Sequence, residues 1–589
     1  MTTWQQLRDL RPGEYEDAAD GWGKVSNRAN AARDRVDSEM LARIRDTQQG
    51  AAADSAVADL ERLSRNYQYV HTECGLVRTA LNGLAGELVV PQRALQQALD
   101  EAAALHFTVH PDGSVEYPAA DVTPLADPVP GGSTSDGAPA PLLPGAEGPA
   151  SGVNPNKAKA EDIAERIGTA VRQANEIDAR YAGVLAKLDT TGGLDVTDEM
   201  LADAANDTGD VRTAAAKYSD ASAIPKDRSP AENAAWWEGL TPEQRDEYAT
   251  LHPASVGALD GLPATVRDDA NRMVLAESRA KYQLELNGIP PEPWPKMVSG
   301  GPRVGMVYSD AWIDWNRRHG ERRGELTEAL KGMRAIDDRF KATGREGLPE
   351  AYLLRFSPEG NGRAVLANGN PDTADHTAVF VPGTTSHLGS VGGDVKRMTD
   401  LWRATAEFPG TGSVSTVTWL GYDAPQDIVK DSPFSHYAND GAPAFNRFME
   451  GLDHTNPDGH HTAIGHSYGT TLIGSAARQG ELGADDIVFA GSPGVQVGSA
   501  SELDAPPGHV WNEEADGDPV PDIGRYGHGG SQWRLGGGVF VIPSDDLFGA
   551  HQMRTDTEGH SGYWDTGSTS LRNQAAVVTG RYDEVDVEG

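Results

Sequence analysis

The chain has 589 residues, a length that at about 150 residues per domain anticipates roughly three or four units. Asp and Glu number 88 against 51 Lys and Arg, a formal charge of −37. With no basic stripe in view, so acidic a chain repels phosphate backbones and excludes nucleic acid as the main partner. The lone cysteine, Cys74, rules out a disulfide within the chain and a cysteine-built zinc site, and it reads as a small side chain on a helix.

The opening segment MTTWQQLRDLRPGEYED lacks the basic start and apolar run of a Sec leader. No stretch approaches the ~18 apolar residues of a transmembrane helix. The expected location is cytoplasmic by default, with export by a non-Sec route as the alternative.

The first ~105 residues read as helical. Leu60, Leu63, Tyr67, Val70, Val77, Leu81 and Leu84 recur mostly at three- and four-residue steps, one stripe of a helix. Pro91, tolerated in a first turn, is expected to open a second helix through Leu95, Leu99 and Leu105. Phe107 to Tyr117 reads as a hairpin turning at Pro111-Asp112-Gly113. Residues 118–157 are rich in Pro, Gly, Ala and Ser, cannot bury a face, and read as a semi-extended linker.

From Ala158, the residues Ile163, Ile167, Val171, Ile177 and Val184 mark another helical stripe. Thr241-Pro242-Glu243-Gln244 is a capping box that starts a helix. Residues 287–304 read as loop, and Trp312 and Trp315 as buried anchors.

From ~350 strands alternate with helices. Strand-type runs are Tyr352–Phe356, Ala364–Leu366, Thr377–Val381, Val414–Leu420, His461–Ile464 and Asp486–Ala490. Helical stretches lie at Val395–Glu407, Ala444–Leu452, Thr470–Arg478 and Ser570–Val578. Alternation of this kind predicts an α/β fold, a mostly parallel sheet with helices on both faces, preceded by mostly α-helical regions. The anticipated domains are 1–117 helical, 118–157 linker, 158–349 helical and preceding or capping the core, and 350–589 α/β.

Gly465-His466-Ser467-Tyr468-Gly469 lies between a predicted strand and a predicted helix, the setting of a nucleophile elbow. A sharp turn projects the Ser467 hydroxyl above the sheet, and the helix N-terminus beneath it supplies free N–H groups. A base and an orienting acid should follow in the order Asp, then His. Asp518, in Asp-Pro-Val-Pro, is the expected acid and Asp516 its rival. The surrounding acidic loop lacks the terminal glutamate of a calcium loop, so no metal is expected. His560 is the expected base ahead of His551 and His528, and His466 is read as a packed neighbour of the nucleophile. The oxyanion hole should use the backbone N–H of Tyr468 and that of Thr384, with Thr385 next, because Gly383 permits close approach.

Val381-Pro382-Gly383-Thr384, Trp419 to Pro425 (WLGYDAP), the GHSYG elbow, Gly491-Ser492-Pro493-Gly494 and Gly559-His560-Ser561-x-Tyr563 together resemble an actinobacterial α/β-hydrolase family of unknown function. The stretch Trp236-Trp237 through Pro242 and Leu259 to Arg272 is similar to the helical segment that precedes the core there. The resemblance covers roughly residues 230–589 and implies an esterase- or lipase-like serine hydrolase without cofactor or metal, acting on a small-molecule or lipid ester. More distantly, the first ~115 residues resemble helical hairpins associated with type VII secretion, although Gln48-Gln49-Gly50 stands where their tryptophan-x-glycine turn would be, and the resemblance implies a protein partner for these helices. The alternatives are a partner-docking protein with a vestigial hydrolase core and an acyltransferase using the same triad.

Overall fold

The computed structural model describes residues 2–120, 129–135, 154–188, 195–301, 303–534 and 537–588. Contacts divide the chain into two compact units, one formed by Met1–Ala29, Val70–Gly193 and Asn206–Ala221, the other by Asn30–Tyr69, Leu194–Ala205 and Ser222–Gly589.

The first unit is helical with one small sheet. The anticipated hairpin forms as Thr108–Val109 against Val115–Tyr117, and Gly132–Thr134 adds a third strand from within the expected linker. Most of that linker lies outside the described residues. Pro91 does not open a helix. It sits inside a continuous helix, Ala51–Ala104. A proline there removes one backbone hydrogen bond, and burial of Leu84, Leu88, Leu95 and Ala98 on either side holds the helix through the gap.

The second unit is built on an eight-stranded sheet, β1 (Ala351–Ser357), β2 (Arg363–Asn368), β3 (His376–Val381), β4 (Val414–Leu420), β5 (His460–His466), β6 (Asp486–Ala490), β7 (Val510–Glu513) and β8 (His551–Met553). Their spatial order is β1-β2-β4-β3-β5-β6-β7-β8. β2 runs antiparallel to both neighbours and every other pairing is parallel. This is the mostly parallel α/β sheet the alternation anticipated.

Period-two alternation assigns each strand's side chains to two cores. Val379, Val381, Ile487 and Phe489 face α2 (His436–Thr455) and α3 (Tyr468–Gln479) through Phe445, Phe448 and Leu472. Ala378, Phe380, Val488 and Ala490 face α1 (Val391–Thr405) and α5 (Thr569–Val578) through Met398, Leu401 and Val577. Strands covered on both faces read as unbroken apolar runs, which is why they were visible in the sequence. The edge strand β1 is closed by the helix Ala264–Gly288. Asp268 accepts from Leu353 N at 2.6 Å, while Arg267 and Asn271 donate to the carbonyls of Leu354 and Leu353.

The capping box at Thr241 forms with both of its hydrogen bonds. Trp315 is buried, whereas Trp312 is half-buried and stacks on Tyr308 at 4.1 Å. The expected loop 287–304 contains a strand, Met297–Ser299, paired with Met306–Tyr308.

Candidate active site

Register brings the C-terminal ends of the central strands to one edge. Gly465 pairs with Val381, His466 with Ala490, and Ala490 with Glu513. The chain leaves each strand there, which puts the loop after β3, Ser467, Gly491 and the loop carrying Asp518 side by side.

Ser467 joins β5 to α3 with φ 55° and ψ −129°, a conformation disfavoured for a residue with a Cβ. Its N–H donates to Ala490 O at 3.0 Å, and its own carbonyl accepts from the N–H and hydroxyl of Thr470. The glycines of the elbow are sterically required. A Cβ on Gly469 would lie 2.1 Å from Val381 O, and one on Gly465 would lie 2.8 Å from Thr470 Cα.

Asp518 and His560 meet. His560 Nδ1 lies 2.8 Å from Asp518 Oδ2 and 3.0 Å from Oδ1. The same carboxylate accepts from Tyr563 Oη at 2.6 Å and from Val520 N at 2.9 Å. Burial alone would push the Asp518 carboxyl up, but these donors outweigh it and hold the group below its ordinary range. Asp516 is exposed, and its carbonyl accepts from Gly559 N, so it shapes the His560 loop rather than meeting the imidazole. Gly491, at φ 57°, backs against the pair: a Cβ there would fall 2.7 Å from Asp518 Oδ2 and 3.1 Å from His560 Nδ1.

No other histidine bonds the Asp518 carboxylate among the described residues, although His466 and His528 line the same cavity as Ser467. His551 lies on β8 and packs against Trp511 with the rings tilted, their centroids 4.7 Å apart. His528, at the end of α4 (Val520–His528), is held by Ser432 O at 2.6 Å. His466 Nε2 donates to His560 O at 2.7 Å, and the two rings stack at 4.7 Å. Burial, with the nearby charges of His560 and Arg397, drives the His466 pKa far down, so His466 is a neutral brace for His560.

The loop after β3 is held at both ends by the WLGYDAP segment. Tyr422 Oη donates to Pro382 O at 2.8 Å, and Thr385 N donates to Pro425 O at 2.7 Å. The Thr385 amide is thereby occupied, whereas the Thr384 amide makes no hydrogen bond among the described residues. Gly383 brings this loop against the serine, since a Cβ on it would lie 2.7 Å from Ser467 Cβ. Tyr468 is the first residue of α3, where helical geometry leaves the N–H without an intrahelical partner.

Thr384, Ser467, Tyr468 and His560 line one cavity of about 950 Å3. Ile428, Ile523 and Tyr526 lie in its wall and are 71%, 73% and 76% exposed, so an apolar rim surrounds the opening. Among the described residues no group of three His, Cys, Asp or Glu side chains is placed to hold a metal, and no helix is long and apolar enough to cross a membrane.

Sequence reasoning singled out Ser467, Asp518 and His560 but gave no role to Tyr563, Asp394 or Arg397. Tyr563 follows His560 by three residues within the quoted motif. Nothing in the sequence marked the other two, which lie on α1.

A family model described as alpha/beta hydrolase matches residues 357–527. Uncharacterized protein Mb0988c of Mycobacterium bovis is 34% identical over 218 residues, 34% of this chain and 79% of that protein. Uncharacterized protein Rv2079 of Mycobacterium tuberculosis is 28% identical over 388 residues, covering 60% of this chain and 56% of its own length. The chain thus carries an alpha/beta hydrolase domain in its C-terminal part. It spans little more than half the length of the longer mycobacterial relative.

Proposed function

We propose that the chain is a serine hydrolase of acyl esters, with Ser467 as nucleophile, His560 as base and Asp518 as the acid that orients it. The observation that carries this reading is the 2.8 Å contact of His560 Nδ1 with a buried Asp518, on the sheet edge where the strained Ser467 turn also lies. In this reading His560 takes the proton of Ser467 Oγ as that oxygen attacks the ester carbonyl. The N–H groups of Tyr468 and Thr384 stabilise the oxyanion. The leaving alcohol receives the proton from His560, and water then releases the acid by the same steps in reverse.

Asp518 remains the chosen acid over Asp516 because only its carboxylate reaches the imidazole. A vestigial core would have no reason to keep three donors on one buried carboxylate. The apolar rim supports an ester with an acyl chain of some length rather than a small polar one.

The N-terminal helices are read as a docking module for a protein partner, with export by a non-Sec route as the alternative. Gly50, at φ 100°, breaks the chain between the helix ending at Thr47 and the one starting at Ala51, as the turn of a helical hairpin would.

The test is hydrolysis of p-nitrophenyl esters from acetate to decanoate. Turnover should rise with chain length and fall to background in S467A with the melting temperature unchanged. Equal turnover in S467A overturns the reading.

A further inference from the structure

The cavity holds a charged pair that the proposed mechanism does not use. Asp394 and Arg397 sit on the first two turns of α1, and Arg397 Nη1 donates to Asp394 Oδ1 at 2.9 Å. Their side chains are only 8% and 25% exposed, yet both line the cavity that Ser467 and His560 line. The guanidinium lies over the Trp564 ring, 5.2 Å from its centroid, and the 2.9 Å bond is its only hydrogen bond among the described residues. Asp394 Oδ2 has no donor among the described residues, and burial pushes the carboxyl up to about 6 against the pull of Arg397.

Taking such a pair out of water is costly, and an apolar pair of similar volume would serve the fold as well. The same cavity is also lined by apolar side chains, Ile428, Pro433, Pro519, Val520, Ile523 and Tyr526. The cavity therefore offers a bound molecule an apolar surface and, beside the hydroxyl and imidazole groups of its wall, one pair of charged side chains with unused donors and an unused acceptor.

The charges of the pair cancel, and this selects the ligand. A carboxylate or phosphate drawn to Arg397 would also face Asp394, and an ammonium drawn to Asp394 would face Arg397. A hydroxyl donates to one and accepts from the other without adding charge, and two adjacent hydroxyls engage both at once. We propose that Asp394 and Arg397 form a subsite for a neutral polyol head group, a sugar or glycerol, so that the substrate is an acyl ester of a polyol with its chain against the apolar side chains of the cavity. The inference rests on the hydrolase reading for the word substrate, but the subsite itself is a statement about binding.

Binding is therefore tested without turnover, on full-length S467A by calorimetry, with three probes that share a hexyl chain: hexyl β-glucoside, hexyl sulfate and hexyltrimethylammonium. The glucoside should bind at least tenfold more tightly than either charged probe. The charge-neutral double substitution Asp394→Asn with Arg397→Gln, which leaves no unpaired charge, should weaken the glucoside at least fivefold. The single substitution Arg397→Lys, which keeps the charge but loses the planar donors, should weaken it by a smaller factor. Equal or tighter binding of either charged probe, or glucoside affinity unchanged in the double variant, overturns the subsite. Loss of ester hydrolysis by the wild type with glucoside binding intact would instead overturn the hydrolase reading and leave the subsite standing.

Discussion

Tyr563 donates its phenol hydroxyl to Asp518 Oδ2 at 2.6 Å, the same oxygen that lies 2.8 Å from His560 Nδ1. The phenol oxygen also accepts from Ala515 N at 3.1 Å, so one side chain fixes both the carboxylate and the loop that carries it. Burial, and then the bond to Asp518, raises the tyrosine's own pKa far above the ordinary phenol range, so it stays a donor throughout the working pH range.

Tyr563→Phe should therefore lower kcat about 10- to 100-fold with little change in KM, from loss of a hydrogen bond to a charged group worth about 1.5–3 kcal/mol. Losing that donor also lets the Asp518 carboxyl rise, so the acidic limb of the pH–rate profile should move to higher pH. An unchanged profile with only a lower melting temperature would make Tyr563 purely structural.

Gly491→Ala tests the close approach behind the pair. Its Cβ would meet both Asp518 Oδ2 and His560 Nδ1, at a φ that favours glycine. The backbone strain costs about 1–2 kcal/mol, but the displaced Asp518 and His560 should lower turnover more than tenfold. Steady-state kinetics beside a thermal melt separates the two. Full activity in this variant would contradict the geometry.

Glu513, at the end of β7, is wholly buried, and burial raises its pKa well above the ordinary carboxyl value. Gln574 Nε2 donates to its Oε2 at 3.0 Å, while Glu513 Oε1 and Gln574 Oε1 are both buried without a partner, so a proton on Glu513 supplies a donor the pair lacks. A raised folded-state pKa means stability that is complete below the ordinary carboxyl pKa and lost as pH climbs toward the folded value. Glu513→Gln should thus be near neutral at pH 4.5 and stabilising by about 1–3 kcal/mol at pH 8. Melting curves at both pH values check this, and a variant less stable at pH 8 would contradict it.

At the opposite edge of the sheet, Asp486 accepts from His460 Nε2, His509 Nδ1, Trp511 Nε1 and Tyr582 Oη. His460 Nδ1 also lies 3.1 Å from Val578 O, and a ring that donates from both nitrogens is an imidazolium. Burial opposes that charge, but Asp486 prevails and the His460 pKa is raised. The contribution is present below the ordinary histidine pKa, about 6.5, and is lost as pH rises through the folded value. The melting-temperature gap between wild type and His460→Gln should shrink steadily from pH 6 to pH 9, and a gap that widens would contradict this account.

Much of the hydrolase core was legible because its physics is local. Strands buried on both faces leave apolar runs, and an elbow needs glycine on either side of serine for reasons that close contacts make explicit. Asp518 could be singled out from its place after a strand, but the contact with His560 that favours it over Asp516 is a tertiary property. β8 was missed because three residues, His551–Met553, carry no period of their own and pair only because β7 is already there. Pro91 misled for a related reason, since packing on both sides overrides a local helix breaker. The polar patch of Asp394 and Arg397 was illegible because a helical i, i+3 ion pair looks the same in sequence whether it faces water or a cavity.

The central claim is an activated serine at position 467, and the most direct measurement is reaction with a fluorophosphonate followed by peptide mass spectrometry. The account predicts one adduct, on Ser467, formed by the wild type and absent from S467A and His560→Ala. An adduct on another residue, or labelling that survives in His560→Ala, would contradict it.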